Sequence, residues 1–528
     1  MAFSTLIGGC TRAVQATPTR TVPPVATATA TPTPAPPTAT ATPRPVLDTV
    51  TVSLPGVLDT LNPLLSRSPV VRSIAALVFP ALVTTTADGQ FAPSLATSWS
   101  AVGPSWTFHL DATRRWQDGV TVTSADVAYT LNLIQATNSP VDPQLHAAWQ
   151  GVQVATPDTE TVILTVPVSI GASILDLATT PILPAHLLAA TPLQALQLAP
   201  FASHPVGSGA YRLLSANSLT AVLESTGHDD LQPRRLIIDT GQDGSIPAAL
   251  PRLGVGGVRL LSDSSTASSV HTTRVPLSRP VFVFLNTHDP VLGNVAVRQA
   301  LNLAVSRTQL VAGPLQGRGV ALRTPLAPGL WEAAGTAALP THDNVTAAHD
   351  LEASGWRLAA GATRRRDGQA LAVTLLVDND PARLAVAQAI ARDWRAIGVR
   401  VSVETVGLDG LLRDFVLPGH YQAALIGTQQ RGVEPDLADL WHTGGSLNIT
   451  GWSDPVADAA LDAIRADDLD SRRAGYRAFS QRFIDETPAI PLYLPSVRFA
   501  VQGLRLPASI LNDPADVLRS AESWRPTP

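Results

Sequence analysis

WTFHLDATRRWQDGVTVTSADVAYTLNLIQ, residues Trp106 to Gln135, is the stretch on which the fold of this chain turns. Trp106, Phe108 and Leu110 alternate with polar neighbours, the period-two pattern of a strand with one buried face. Asp118-Gly119 supplies a turn. Thr123 with Asp126 three positions on predicts a capping box, in which each side chain satisfies the other residue's unbonded backbone N–H. The helix it opens carries Val127, Leu131 and Ile134 on one face. A strand, a tight turn and an amphipathic helix thus follow one another in this region.

The same grammar extends outward. Val50, Val52 and Leu54 alternate as a strand before a turn at Asn62-Pro63, and Ile74 to Val83 (IAALVFPALV) is apolar and helix-like until Pro80. In HPVGSGAYRL, His204 to Leu213, Gly207 and Gly209 flank Ser208 and predict a tight strand-to-strand crossing suited to a hinge. Asn294 predicts a cap for a helix whose stripe is Val297, Ala300, Leu301, Ala304 and Val305, running to Gly313-Pro314, with Arg298 a structural residue on it.

Composition excludes several chemistries. The 528 residues are 45% hydrophobic and 15% charged, enough to bury large cores, and 37 basic against 42 acidic residues leave a net charge of −5, with no bulk attraction to nucleic acid. No lysine occurs, so a G-x-x-x-x-G-K-[ST] phosphate loop, a Schiff-base enzyme and a pyridoxal-phosphate enzyme are all excluded. One cysteine rules out an internal disulfide and a zinc site built on two thiolates. The histidines show no H-E-x-x-H spacing, Asp467-Asp468 read as a solvated helix face, and Ser208 lacks the G-x-S-x-G context of a nucleophile. The expectation is a chain that is not an enzyme, with no catalytic residue, no metal and no cofactor.

The order LNP, LVFPALV, ADG, FAPSLATSW, FHL, WQDG and TSADVAYTL resembles the start of the family 5 solute-binding proteins of ABC importers, the dipeptide, oligopeptide and nickel-binding group. HPVGSGAYRL, FLNTHDPVLGNVAVRQALNLAVSRTQLV (Phe284 to Val311), DLEASGWRL, Ile397-Gly398-Val399 and DETPAIPLYLP (Asp485 to Pro495) continue the likeness in order, from about Leu47 to the C-terminus. The resemblance implies an α/β, two-lobed periplasmic-binding fold with a hinge, in its three-domain version. Lobe I would take 47–83, 205–278 and 503–528, an extra domain 84–204, and lobe II 279–502. It also implies a monomer that captures a peptide or other small solute between closing lobes and delivers it to ABC permease subunits and their ATPase. A ligand-sensing or adhesion lipoprotein on the same fold is the alternative.

Peptide-binding members carry a G-W-x-x-D-x-x-[DE]-P stretch whose aspartate pairs with the ligand's free amino terminus. Here the corresponding stretch is GTQQRGVEPDLADLW, Gly427 to Trp441, in which Glu434-Pro435 sets the register and Arg431 takes the aspartate's place, with Gln430 beside it. A guanidinium repels an ammonium group and fits a carboxylate or phosphate through a planar fork. Arg431 therefore predicts an anionic ligand or one anchored elsewhere, unless it faces solvent or pairs with Glu434 or Asp436. By the same likeness, SLNITGWSDPVADAAL (Ser446 to Leu461) would set Asn448 and Trp452 near the cleft, Trp452 being otherwise a core residue.

Leu6-Ile7-Gly8-Gly9-Cys10 resembles a lipoprotein box, in which the cysteine is acylated after signal cleavage. The apolar segment before it is short and uncharged, which predicts a true start upstream; a chance cysteine in a leader is the other reading. Residues 11–46 are rich in Thr, Pro and Ala, a composition that favours an extended stalk. With no apolar run of about 18 residues, membrane contact would come through lipid on Cys10. The expected location is extracytoplasmic, either lipid-anchored on the outer membrane face or periplasmic.

Overall fold

In the computed structural model, residues 48–86, 91–166, 174–227, 232–241, 257–261, 271–326, 335–358, 363–428, 437–465, 469–509 and 511–527 are described. Cys10, the 11–46 tract, Asp467-Asp468, Gln430, Arg431 and Glu434 to Asp436 lie outside them.

The alternating valines form β1 (Thr49–Ser53), with Val50 and Val52 fully buried. After the Asn62-Pro63 turn comes α1 (Pro69–Val78), entered through Pro69 at its first turn and ended at Phe79-Pro80, where proline disfavours a helical residue before it. Next stand β2 (Ala96–Val102) and β3 (Ser105–Leu110), then α2 (Ser124–Gln135), β4 (Gln153–Ala155) and β5 (Thr161–Thr165). These strands make a separate antiparallel sheet in the order β2-β3-β5-β4. The expected capping box of α2 is present, with the Thr123 N–H donating to Asp126 Oδ2 at 2.9 Å. The other Asp126 oxygen accepts from the Ala185 N–H at 2.8 Å, which ties a remote loop to the same cap.

The chain then returns to the β1 sheet with β6 (Tyr211–Ala216), β7 (Thr220–Ser225), β8 (Arg235–Asp239), β9 (Gly257–Leu261) and β10 (Thr272–Pro276). Gly207 and Gly209 do not cross a strand at the hinge. They press on the end of α1, where an added Cβ would stand 2.0 Å from the Val78 carbonyl oxygen and 2.3 Å from that of Leu77. The Val78 carbonyl, left open by the helix end, accepts from the Ser208 and Gly209 N–H groups at 3.1 and 2.9 Å. The close approach that glycine permits thus serves a helix end inside one core.

A second half follows, made of β11 (Val281–Leu285), α3 (Val295–Leu303), β12 (Ala372–Val377), α4 (Pro381–Ala396), β13 (Arg400–Thr405), β14 (Ala423–Gly427), α5 (Pro455–Ile464), α6 (Leu469–Glu486) and β15 (Ala489–Gln502). Asn294 caps α3 as expected, accepting from the Ala296 N–H at 2.9 Å. The helix stops at Leu303, short of Gly313, and a second helix, Arg307–Ala312, begins after Ser306. Arg298 is structural: its guanidinium, 3% exposed, donates to the carbonyls of Leu292, Gly293, Glu486 and Thr487 at 2.6–3.1 Å.

One sheet runs through both halves, in the order β13-β12-β14-β11-β15-β9-β1-β8-β7-β6. The 14-residue β15 joins them: its first residues pair with β11, with Tyr493 opposite Val281, and its last with β9 and β10, with Arg498 opposite Leu261 and Arg274. One apolar core packs the β1 side together with α1, α2 and the C-terminal 3-10 helix Pro514–Ser523. Two others pack opposite faces of the β11 side, one centred on Val283, Ile390 and Trp394, the other on Phe284, Trp441 and Phe483.

Candidate functional site

Strand direction locates the functional edge. β1, β8 and β9 are parallel, and β9 runs antiparallel to β15, so Ser53, Asp239 and Leu261 all end where β15 passes between the halves. On the other side β12 is parallel to β13 and β14, and Gly427 lies opposite Val281, itself opposite Tyr493. Both sets of parallel strands thus present their carboxyl ends to the same junction, the position at which open α/β sheets bind ligands.

A cleft of about 1650 Å³ occupies the first-half side of that junction. Its floor is the outward face of α1, including Arg72 and Ala76, left outside because Val70, Val71, Ile74, Leu77 and Val78 turn into the core, with the buried Phe79 just past the helix end beneath it. The segment from Asp111 to Gln117, the Thr179–Pro181 loop and Ser208 to Arg212 form its walls. Arg279, Asn512 and Asp513 bring it up to the strand crossing. Apolar contributions come from Leu64, Phe79, Leu145 and Leu177.

The lining is charged but mostly self-compensated. Arg212 donates to Glu224 at 2.6 and 3.1 Å, and the two arginines beside Glu224 hold its carboxyl below the usual range. The hydroxyl and N–H of Thr113 do the same for Asp111. Glu522 behaves oppositely: its carboxyl remains open to the cleft, yet desolvation raises its pKa, with Arg114 partly offsetting the effect. Burial likewise raises the Tyr211 phenol, which donates to the Pro233 carbonyl at 2.8 Å.

The residues singled out from sequence in the second half fall at other places. Trp452 is 4% exposed and lies against Phe479 and Phe483, ring centroids 6.4 and 6.2 Å away, in an aromatic cluster with Trp441. The Asn448 carboxamide donates to the carbonyls of His442 and Trp452 at 3.1 and 2.7 Å and accepts from the Thr450 hydroxyl at 2.8 Å. The two residues are therefore brought together, and neither lines the cleft. Arg431 and Gln430 follow Thr428, whose N–H donates to the Pro280 carbonyl at 2.9 Å at the carboxyl end of β14. Sequence reasoning missed the first-half lining altogether. Its available signals were the Arg114-Arg115 pair just after a strand and Arg72 as the one charged residue of a largely apolar helix.

Among the described residues, no group of three or more His, Cys, Asp or Glu side chains is arranged to hold a metal ion, and no helix is long and apolar enough to cross a membrane. Residues 90–449 match the family model for bacterial extracellular solute-binding proteins, family 5 Middle. The chain is 24% identical to the oligopeptide-binding protein AppA of Bacillus subtilis, over 62% of this chain and 63% of that protein, so it spans less than two thirds of AppA's length. It is 25% identical to the nickel-binding periplasmic protein of Escherichia coli, over 65% and 68% of the two chains. The unliganded open form of the murein tripeptide-binding protein MppA superposes with a TM-score of 0.78 at 17% identity, covering 92% of this chain and 99% of that one. These relatives are named for what they bind.

Proposed function

The chain belongs to the family 5 bacterial extracellular solute-binding proteins, and from that premise we propose that it captures a small solute between its two halves and delivers it to the permease of an ABC importer. The observation that carries this reading is the facing of two sets of strand carboxyl ends across β15, with a large cleft opening at that junction. Closing lobes bury a ligand in such a place, and a permease can then discriminate the closed form from the open one. In this reading lobe I comprises 47–83, 205–278 and 503–528, the extra domain 84–204 and lobe II 279–502. Cys10 carries the lipid and residues 11–46 the tether, which holds the body outside the membrane as a monomer.

The segment that bears Arg431 and Gln430 leaves the carboxyl end of β14, one of the strands that face the junction. In this reading Arg431 refuses a free amino terminus and favours an anionic or differently anchored solute. Asn448 shapes the turn that leads into α5, and Trp452 backs that turn from the core.

The test is native followed by denaturing mass spectrometry of the purified chain, with small-angle scattering to follow compaction and thermal-shift titration with free and N-acetylated dipeptides. Capture of a small solute with compaction is the expected result. A free dipeptide that binds and loses affinity on N-acetylation refutes the reading of Arg431. A chain that carries no solute and compacts with none refutes solute capture.

A further inference from the structure

We propose that Arg114 and Ser208 form an oxyanion subsite in the first-half wall of the cleft, receiving a carboxylate or phosphate of the solute; this deepens the solute-capture reading and rests on it. Six arginines line the cleft. Five have partners. Arg72 donates to the Arg67 carbonyl at 2.9 Å, Arg115 to the Gly119 carbonyl and the Thr121 hydroxyl, and Arg212 to Glu224. Arg279 meets Asp513 at 3.4 Å and Arg519 meets Asp516 at 2.9 Å.

Arg114 differs from all of these. Its side chain is half-buried, its Nε is shut off from solvent, and no hydrogen bond or ion pair reaches its guanidinium among the described residues. Asp111 and Glu522 act on it only through space. A second orphan lies on the adjoining segment: Ser208 is 5% exposed, lines the cleft, and its Oγ has no partner.

Gln117 locks the two segments together. Its N–H donates to the Gly207 carbonyl at 2.8 Å, its side-chain oxygen accepts from the Gly207 N–H at 3.1 Å, and its amide nitrogen donates to the Tyr211 carbonyl at 3.0 Å. Arg114, three residues before Gln117, and Ser208, next to Gly207, are therefore held on one stretch of wall. A guanidinium fork and a hydroxyl, both lacking acceptors, are complementary to a planar or tetrahedral oxyanion. An ammonium group brought there would meet like charge.

The test uses the full chain and three probes, glutarate, citrate and inorganic phosphate, at low millimolar concentration and ionic strength matched with sodium chloride. Those concentrations lie well below the range in which such anions stabilise proteins by exclusion from the surface. At least one probe is expected to raise the melting temperature by about 3 °C or more. Calorimetric titration should show affinity falling roughly tenfold or more in Arg114→Gln and several-fold in Ser208→Ala, with no change in Arg400→Gln on the far half. Ser208→Ala introduces no charge change and carries the test should Arg114→Gln fail to fold. The proposal is overturned if no probe stabilises the wild-type chain beyond chloride, or if binding survives both cleft substitutions. Survival overturns the subsite and leaves solute capture standing. A chain that captures no solute, yet loses oxyanion binding with Arg114, removes the capture reading and keeps the subsite.

Discussion

Replacing Arg298 by methionine keeps the apolar stem and removes the guanidinium. Four backbone carbonyls, those of Leu292, Gly293, Glu486 and Thr487, then lose their donor in a site where the side chain is 3% exposed. Hydrogen bonds from a charged donor contribute about 1.5–3 kcal/mol each, and a buried acceptor left unpaired costs about 1–3 kcal/mol. The four do not add fully, because they share one cation whose own burial is costly; desolvation lowers the pKa of Arg298, with Glu486 opposing the effect. A net loss of about 4 kcal/mol is the working figure. For a cooperative unit of about 200 residues each kcal/mol lowers the melting temperature by about 2–4 °C, which gives a fall of roughly 8–16 °C. Calorimetry resolves such a change readily, and because the bonds tie α3 to the turn between α6 and β15, the second half should melt first. A loss under about 1 kcal/mol, or a uniform shift of both halves, would refute the assignment of Arg298 as the clamp of that turn.

Gly207→Ala sets a methyl against the Val78 carbonyl; a loss of about 2–4 kcal/mol in urea unfolding is expected, and a neutral variant would mean that α1 ends elsewhere in solution. Asp454 caps α5 and accepts two bonds from Arg482 at 2.6 and 2.8 Å, contacts that lower its pKa. A depressed carboxylate stabilises the fold above the ordinary aspartate pKa, and the contribution is lost as pH falls through the folded value. Asp454→Asn should therefore cost stability at pH 6 and reduce the further loss between about pH 4 and pH 2, read as the pH dependence of the urea midpoint. An unchanged acid limb would count against the pairing.

Short-range grammar survived contact with the structure where its physics is local. Thr123 and Asp126 cap α2 because the reciprocal bonds need only four residues of chain. Asn294 caps α3 for the same reason, although the apolar stripe beyond Leu303 gave no notice that the helix would break at Ser306. The family order of motifs conveyed the two-lobed architecture, which periodicity alone could not, since β9 and β15 pair across more than 200 residues of chain. The glycines at 207 and 209 were legible as a close approach but not as an approach to a helix end, because sequence does not say which backbone comes near. Trp452 illustrates the same limit at the site: a tryptophan placed near the cleft by likeness can also be a core residue, and its packing against Phe479 and Phe483 is not written in the sequence. The cleft arginines escaped notice because their meaning lies in which of them remain unpaired.

The sharing of β15 also governs the order in which the molecule can be completed. β10 has no strand partner except β15 among the described residues, and the α1 surface is finished by the last helix of the chain, where the Ser73 hydroxyl donates to Asp516 at 3.1 Å. From Pro276 to its partner Ser496 lie about 220 residues, which at ribosomal rates of 5–20 residues per second is roughly 10–45 seconds of synthesis. Throughout that interval the amino-terminal sheet has an open edge and an uncovered helix, so a nascent chain remains unfinished and receptive to holding factors until β15 and the Pro514–Ser523 helix have emerged.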